Sequence, residues 1–277
     1  MRLAIAVAAA ATTLIAAGAA GAAPSVNIRD AIARVTVVPE DRSDVKVEVI
    51  TTNPALPLEV RMEGSQTVIS GNLAHRVYDC RTRGDHPSAW VRGLGEIKYE
   101  AMPQVLIHTP RAVALSASGA VYGVVGRAAG LDLQNSGCSA WTVADVTGDV
   151  TLRESGAGSV RMGSTGRLEL RLSGAGGVHA TQVRQGLDAT LSGAGSVNID
   201  DLSGPMVAHV SGVGHIKIDQ GHADAVQASI SGVGSVDFGG DARSLDASIS
   251  GFGGIRVKAV SGQVTKSISG GGHVTVG

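Results

Sequence analysis

Ser192-Gly193-Ala194-Gly195-Ser196-Val197-Asn198-Ile199-Asp200 is followed nineteen residues later by Ser211-Gly212-Val213-Gly214-His215-Ile216-Lys217-Ile218-Asp219. The same tetrapeptide, Ser-Gly-x-Gly, begins at Ser155, Ser173, Ser192, Ser211, Ser231, Ser250 and Ser269, in steps of 18, 19, 19, 20, 19 and 19 residues. Degenerate copies at Ser118-Gly119-Ala120 and Ser136-Gly137-Cys138 carry the series upstream to nine consecutive units. A fixed period of this length is the sequence mark of a repeat architecture.

The positions around each serine behave as columns. Five residues after it stand Val160, Val178, Val197, Ile216, Val236, Ile255 and Val274, and seven after it Met162, Ala180, Ile199, Ile218, Phe238, Val257 and Val276. Polar residues alternate with them, which is the period of a strand with one buried face. A second alternating strand precedes the serine, with Leu168, Leu170 and Leu172 in one unit and Leu245, Ala247 and Ile249 in another. Each unit therefore reads as two short strands and two turns. One unit cannot bury its own apolar face, whereas stacked equivalent strands can. The expected fold is all-β: a parallel, right-handed β-helix or solenoid with about 19 residues per turn and an irregular β cap at its N-terminal end. A β-sandwich also alternates, but it does not place identical side chains in columns. Nine turns at ~4.8 Å give a rod of roughly 40 Å. Asn135, Glu154 and Lys266 fall in nominally inward positions and break the pattern.

By the same parity both glycines of the motif point inward, where a bare strip lets the opposite wall approach and permits a sharp corner. The seven motif serines are expected to form an outward ladder, each hydroxyl bonding the neighbouring turn. The x positions, Ala157, Ala175, Ala194, Val213, Val233 and Phe252, form either an exposed apolar stripe, a candidate contact surface, or a set of side chains tucked in by the corner. A phosphate-cradling loop would need one glycine loop opening a helix. Seven copies leading into strands do not fit it.

The composition agrees with this reading. Of 277 residues 39 are Gly, aromatics are 3% and charged residues 17%, and so much glycine is costly in helices. The apolar share of 43% is enough for a core. Net charge is -1, with no basic bias toward nucleic acid or an anionic membrane surface. Residues 1–22 read as a secretory signal: Met1-Arg2, an apolar stretch from Leu3 to Ala17, and Ala20-Gly21-Ala22 as the cleavage site before Ala23. No second apolar span follows, so no membrane span is expected in the mature chain.

Residues 23–112 are less regular and are expected to cap the solenoid of residues 113–277, with an excursion at 76–99 rich in charge and turn residues. In an oxidising compartment Cys80 and Cys138 are most simply a disulfide, which would pin that excursion to the outer face. A buried free pair is the alternative. The chain stops on a core strand, Val274-Thr275-Val276-Gly277, and a bare end of this kind could recruit a second molecule.

Other candidates are weaker. Asp200 and Asp219 lie one turn apart and could bind a cation together, or be solvated turn residues. His209, His215 and His222 share one unit, but Ser196 and Ser235 flank His215 in its column. Lys217, Asp237 and Arg256 form an alternating-sign ladder. No catalytic residue, metal site or cofactor is assigned.

Ser155-Gly156-Ala157-Gly158 and its six later copies, with Ile107-His108-Thr109-Pro110-Arg111-Ala112 before the first turn, resemble the auto-transporter adhesin group that carries a head GIN domain. The resemblance covers roughly residues 30–277. It implies a β-helix and, through the group's name, adhesion. The expected function is an exported, non-enzymatic binding or adhesion module of the cell envelope, periplasmic or at the cell surface. Its partner would be an envelope polymer or protein. The alternative is a self-assembling structural protein with end-to-end or side-by-side contacts, and an enzyme acting on polysaccharide stands third.

Overall fold

The structure is a computed structural model that describes residues 23–81 and 87–277. The expected leader at 1–22 and residues 82–86 of the excursion lie outside the described residues.

The chain forms a parallel β-solenoid of about 9 turns, roughly 19 residues apart. One wall stacks the strands before each serine, so Leu168 pairs with Leu187, Leu187 with Met206 and Met206 with Val226. The other stacks the strands after it, as in Val160↔Val178↔Val197↔Ile216. Parallel strands must have their apolar faces covered, and here the two walls cover each other. The lumen is filled by Val, Ile, Leu and Ala, with Trp141 and Phe238 as its largest buried side chains.

Each coil has one more bend than the two-strand reading supplies. Pairing in the second wall skips one residue, Gly163, Thr181 or Asp200, and resumes for a short third face. Thr165, Val183 and Leu202 point inward from that face.

The N-terminal end does not follow chain order. The first strand, β1 (Ser25–Glu40), runs through both walls. Next come β2 (Lys46–Thr51), β3 (Glu59–Glu63) and β4 (Gln66–Ser70). A separate antiparallel sheet follows, made of β5 (Val77–Arg81), β6 (Ser88–Val91) and β7 (Gly95–Lys98). The chain then returns as β8 (Gln104–Pro110) and β9 (Ala112–Val125). β4 and β8 lie parallel to β1 on one side and β9 on the other, so β1 is the second layer of the stack. β2 and β3 close the outer edge by running antiparallel to β8 and β4. They carry Lys46, Glu48, Glu59, Arg61 and Glu63, and charge on an edge strand discourages pairing with another chain.

The β5–β7 sheet packs sideways on the solenoid over a second apolar cluster that includes Ile32, Leu56, Ala89, Val91 and Ala120. Cys80 on β5 is bonded to Cys138, with Cα atoms 6.0 Å apart. The excursion is thereby fixed to the outer face, which selects the disulfide over the free pair.

Candidate functional site

The Ser-Gly-x-Gly corner forms a ridge along the rod, and its shape follows from backbone contacts between coils. A methyl added at the first glycine of Gly193, Gly212, Gly232 or Gly251 would overlap the carbonyl oxygen of the first glycine one coil earlier. The first glycine therefore faces along the axis, not across the lumen as parity suggested. Among the motif corners only the first degenerate copy has a left-handed glycine, Gly119 at φ 98. The second glycine is nearer the core: a methyl at Gly195 or Gly234 would also strike Leu172 or Val210.

The serine ladder is present, but its hydroxyls do not carry it. Backbone N–H groups bond each corner to the coil before, as from Ser192 to the Leu172 carbonyl and from Ser250 to that of Ile230, both at 2.9 Å. Of the seven motif hydroxyls, those of Ser155 and Ser211 donate back one coil, each at 3.4 Å. The rest have no protein partner among the described residues and face outward.

The two orientations open for the x column resolve outward. Val213 is 63% exposed, Val233 54% and Phe252 68%. Ala157, Ala175 and Ala194 are exposed as well. The Phe252 ring lies over Gly271, the x position of the next corner, where a methyl would meet it. At the other end the two earliest x positions are covered. Ala120 is fully buried under the β5–β7 sheet, and Cys138 is tied to it by the disulfide. Beside them the Tyr122 hydroxyl donates within reach of the carbonyls of Arg81 (3.0 Å) and Ser88 (2.9 Å). Burial pushes that phenol up to about 12.

A groove runs along each side of the ridge. The serine-side groove has a volume of about 690 Å³. Ser118, Ser136, Ser155, Ser173 and Ser192 line one side, and Arg29, Arg153 and Arg171 reach into it. Arg153 pairs with Asp132 at 3.3 Å, Arg171 with Glu169 at 3.0 Å and Arg29 with Glu63 at 3.9 Å. The x-side groove, about 860 Å³, has the apolar column on one flank, Ser196, His215 and Ser235 on the other, and a floor of second glycines such as Gly195, Gly214 and Gly234.

Two of the pattern-breaking residues meet behind the serine-side groove. Asn135 and Glu154 stack one coil apart, each 1% exposed. Asn135 Nδ2 donates to Glu154 Oε2 at 2.6 Å, and the Gly156 N–H donates to Oε1 at 2.9 Å. Burial pushes the Glu154 carboxyl above the ordinary carboxylate range, against the pull of the bonds from Asn135, Gly156 and Gly158. Among the described residues Asn135 Oδ1 has no partner. The third, Lys266, is exposed, and its Nζ donates to the Val274 carbonyl at 3.1 Å.

The remaining candidates disperse. Asp200 sits at the bend and bonds His179 Nε2 at 2.7 Å, while Asp219 pairs with Lys217 at 2.6 Å. His209, His215 and His222 occupy three different faces of one coil, beside Ser229, Ser235 and Asp241 respectively. No cluster of three metal-ligating side chains occurs among the described residues. Lys217, Asp237 and Arg256 do stack in register, although the close contact of Lys217 is to Asp219.

No family model matches the chain, and no curated protein matches it. Two solved structures do. A putative lipid binding protein from Parabacteroides distasonis is similar at 21% identity and a TM-score of 0.49, over 91% of this chain and 92% of that one. A putative adhesin from Bacteroides fragilis is similar at 17% identity and a TM-score of 0.44, over the same shares. At these values neither carries an argument about function.

Proposed function

We propose that this chain is an exported, non-enzymatic binding module of the cell envelope. It holds a hydroxyl- and carboxylate-bearing glycan along the serine side of its corner. The observation that carries this reading is the groove in which five serine hydroxyls repeat at the coil spacing beside three guanidiniums, those of Ser173 and Ser192 with no protein partner among the described residues. The side chains of Arg153 and Arg171 are 43% and 60% exposed. Ion pairs that open to solvent are worth about 0–1 kcal/mol, so these guanidiniums can exchange Asp132 and Glu169 for a ligand carboxylate at little cost. Guanidinium and carboxylate also match as a two-pronged pair. Aromatics are 3% of the chain, so the contact is polar rather than stacked. The leader-like N-terminus and the disulfide support export to the periplasm or cell surface. The repeat supports a place beside the head GIN group.

The test is cosedimentation of the purified chain with isolated peptidoglycan sacculi and, separately, with lipopolysaccharide aggregates. Binding to one of them should fall about tenfold in an Arg153→Ala, Arg171→Ala double variant, the scale of two lost solvent-open ion pairs at under about 1 kcal/mol each. Asp200→Asn with Asp219→Asn should leave it unchanged, because those carboxylates sit at the bend, away from the groove. Failure of the unaltered chain to bind either material sinks the glycan reading.

A further inference from the structure

The x side of the ridge has a different chemistry, and what it fits goes beyond the glycan reading. Its column grows in one direction: Ala157, Ala175 and Ala194 are small, Val213 and Val233 larger, and Phe252 largest. Turned end for end about Val213, the column complements itself. Val213 meets Val213, Val233 meets Ala194, and Phe252 meets Ala175. Because the Phe252 ring leans over Gly271, one coil further along, it would also reach Ala157. The bare floor at Gly176 and Gly195 leaves room for it. The flanking column of Ser196, His215 and Ser235 maps onto itself in the same operation and contains no carboxylate, lysine or arginine. Self-pairing therefore meets no fixed like-charge repulsion. The same column already buries polypeptide within the chain, where Ala120 and Cys138 lie under the β5–β7 sheet. The exposed stretch continues that interface.

We infer that two copies of this chain associate side by side and antiparallel through the x column, with the two-fold axis at Val213. Such a contact is isologous and closed, so it stops at a dimer. From Ala175 to Phe252 the strip is four coil spacings, about 19 Å. A strip of that length and one corner wide falls well short of the ~800 Å² per partner of a standard stable interface. The dimer is therefore weak and depends on concentration.

The experiment combines sedimentation across a concentration series with a short bismaleimide on single-cysteine variants of the secreted chain. The native cysteines are both in the disulfide, so each variant carries one free thiol. Val213→Cys should cross-link to itself. Ala175→Cys mixed with Phe252→Cys should give the mixed dimer. Neither of those two should cross-link to its own kind, since like positions lie about 19 Å apart along the axis. Val213→Lys, at an exposed position, should keep the circular-dichroism spectrum and sediment as a monomer. A chain that stays monomeric up to its solubility limit overturns the proposal; that is the result expected if the column serves a different protein. Phe252→Cys cross-linking to itself also overturns it, because that requires parallel pairing.

Discussion

The coils from Gly130 onward and the segment before Pro110 solve the same packing problem in opposite ways. The later coils stack in chain order, each strand pairing with its equivalent about nineteen residues away. In the earlier segment the first strand becomes the second layer, two later strands slide beneath it, and two more run antiparallel to close the edge. A repeating coil offers an identical edge at every step, so its stacking has no internal reason to stop. Only a segment that leaves the repeat can stop it. The difference also sets exposure: where the excursion covers the ridge the first x position, Ala120, is buried, and beyond it the ridge is open to solvent.

The sharpest way to break the regular half is Gly193→Ala. The added methyl would overlap the Gly174 carbonyl and force neighbouring coils apart, and overpacking of this kind costs about 3 kcal/mol. Urea unfolding should show it, while the same change at Gly64, with nothing near its Cβ position, should act only through its left-handed backbone. For the irregular half the matching test is Cys80→Ser with Cys138→Ser. Loss of this closure should cost about 2 kcal/mol. Hydrogen exchange should rise in β5–β7 and stay unchanged in the coils beyond Gly177.

Glu154→Gln probes the first coils of the regular half and should act in the opposite direction. Glu154 binds its proton more tightly folded than unfolded, because burial raises its pKa. Its contribution is therefore full below the unfolded value of about 4.5 and is lost as pH rises through the folded one. At pH 7 the Gln variant should be more stable by about 1 kcal/mol, since it removes the cost of ionising a buried carboxyl, while the hydrogen-bond count is kept if the Asn135 amide turns so that Oδ1 accepts from the glutamine amide. Its stability should also lose this pH dependence. The smallest effect is expected from Ser231→Ala, within about 0.5 kcal/mol of zero, because that hydroxyl is exposed and bonds nothing. A larger loss would restore the hydroxyl ladder as a structural device.

The contrast between halves also explains what could be read from residues alone. The columns through Val197 and Ile199 and the outward serines follow from period and parity, because every coil repeats the same environment; the pairing of Cys80 with Cys138 follows instead from two cysteines in an oxidising compartment. Parity also marked Asn135 and Glu154 as inward. Their meeting was legible in retrospect, since an amide and a carboxylate nineteen residues apart in one column must touch. The role of the first glycine was misread because parity describes in and out, and the contact that demands glycine lies along the axis. A turn at Asp200 is among the readings of that residue, but the third face is hidden, because a single skipped residue leaves the alternation on either side intact. Arg29 joined the serine-side groove unforeseen: it lies 124 positions before Arg153, and only the out-of-order placement of β1 brings it there.

Both faces of the ridge depend on the motif copies forming one straight column. The most direct test is a pulsed dipolar distance between spin labels at Ser155→Cys and Ser269→Cys, two exposed corners six coils apart. In-register stacking predicts one narrow distance, about 29 Å between backbones plus the reach of the labels. A broad distribution, or a distance far from six coil spacings, would contradict the column and with it both proposed surfaces.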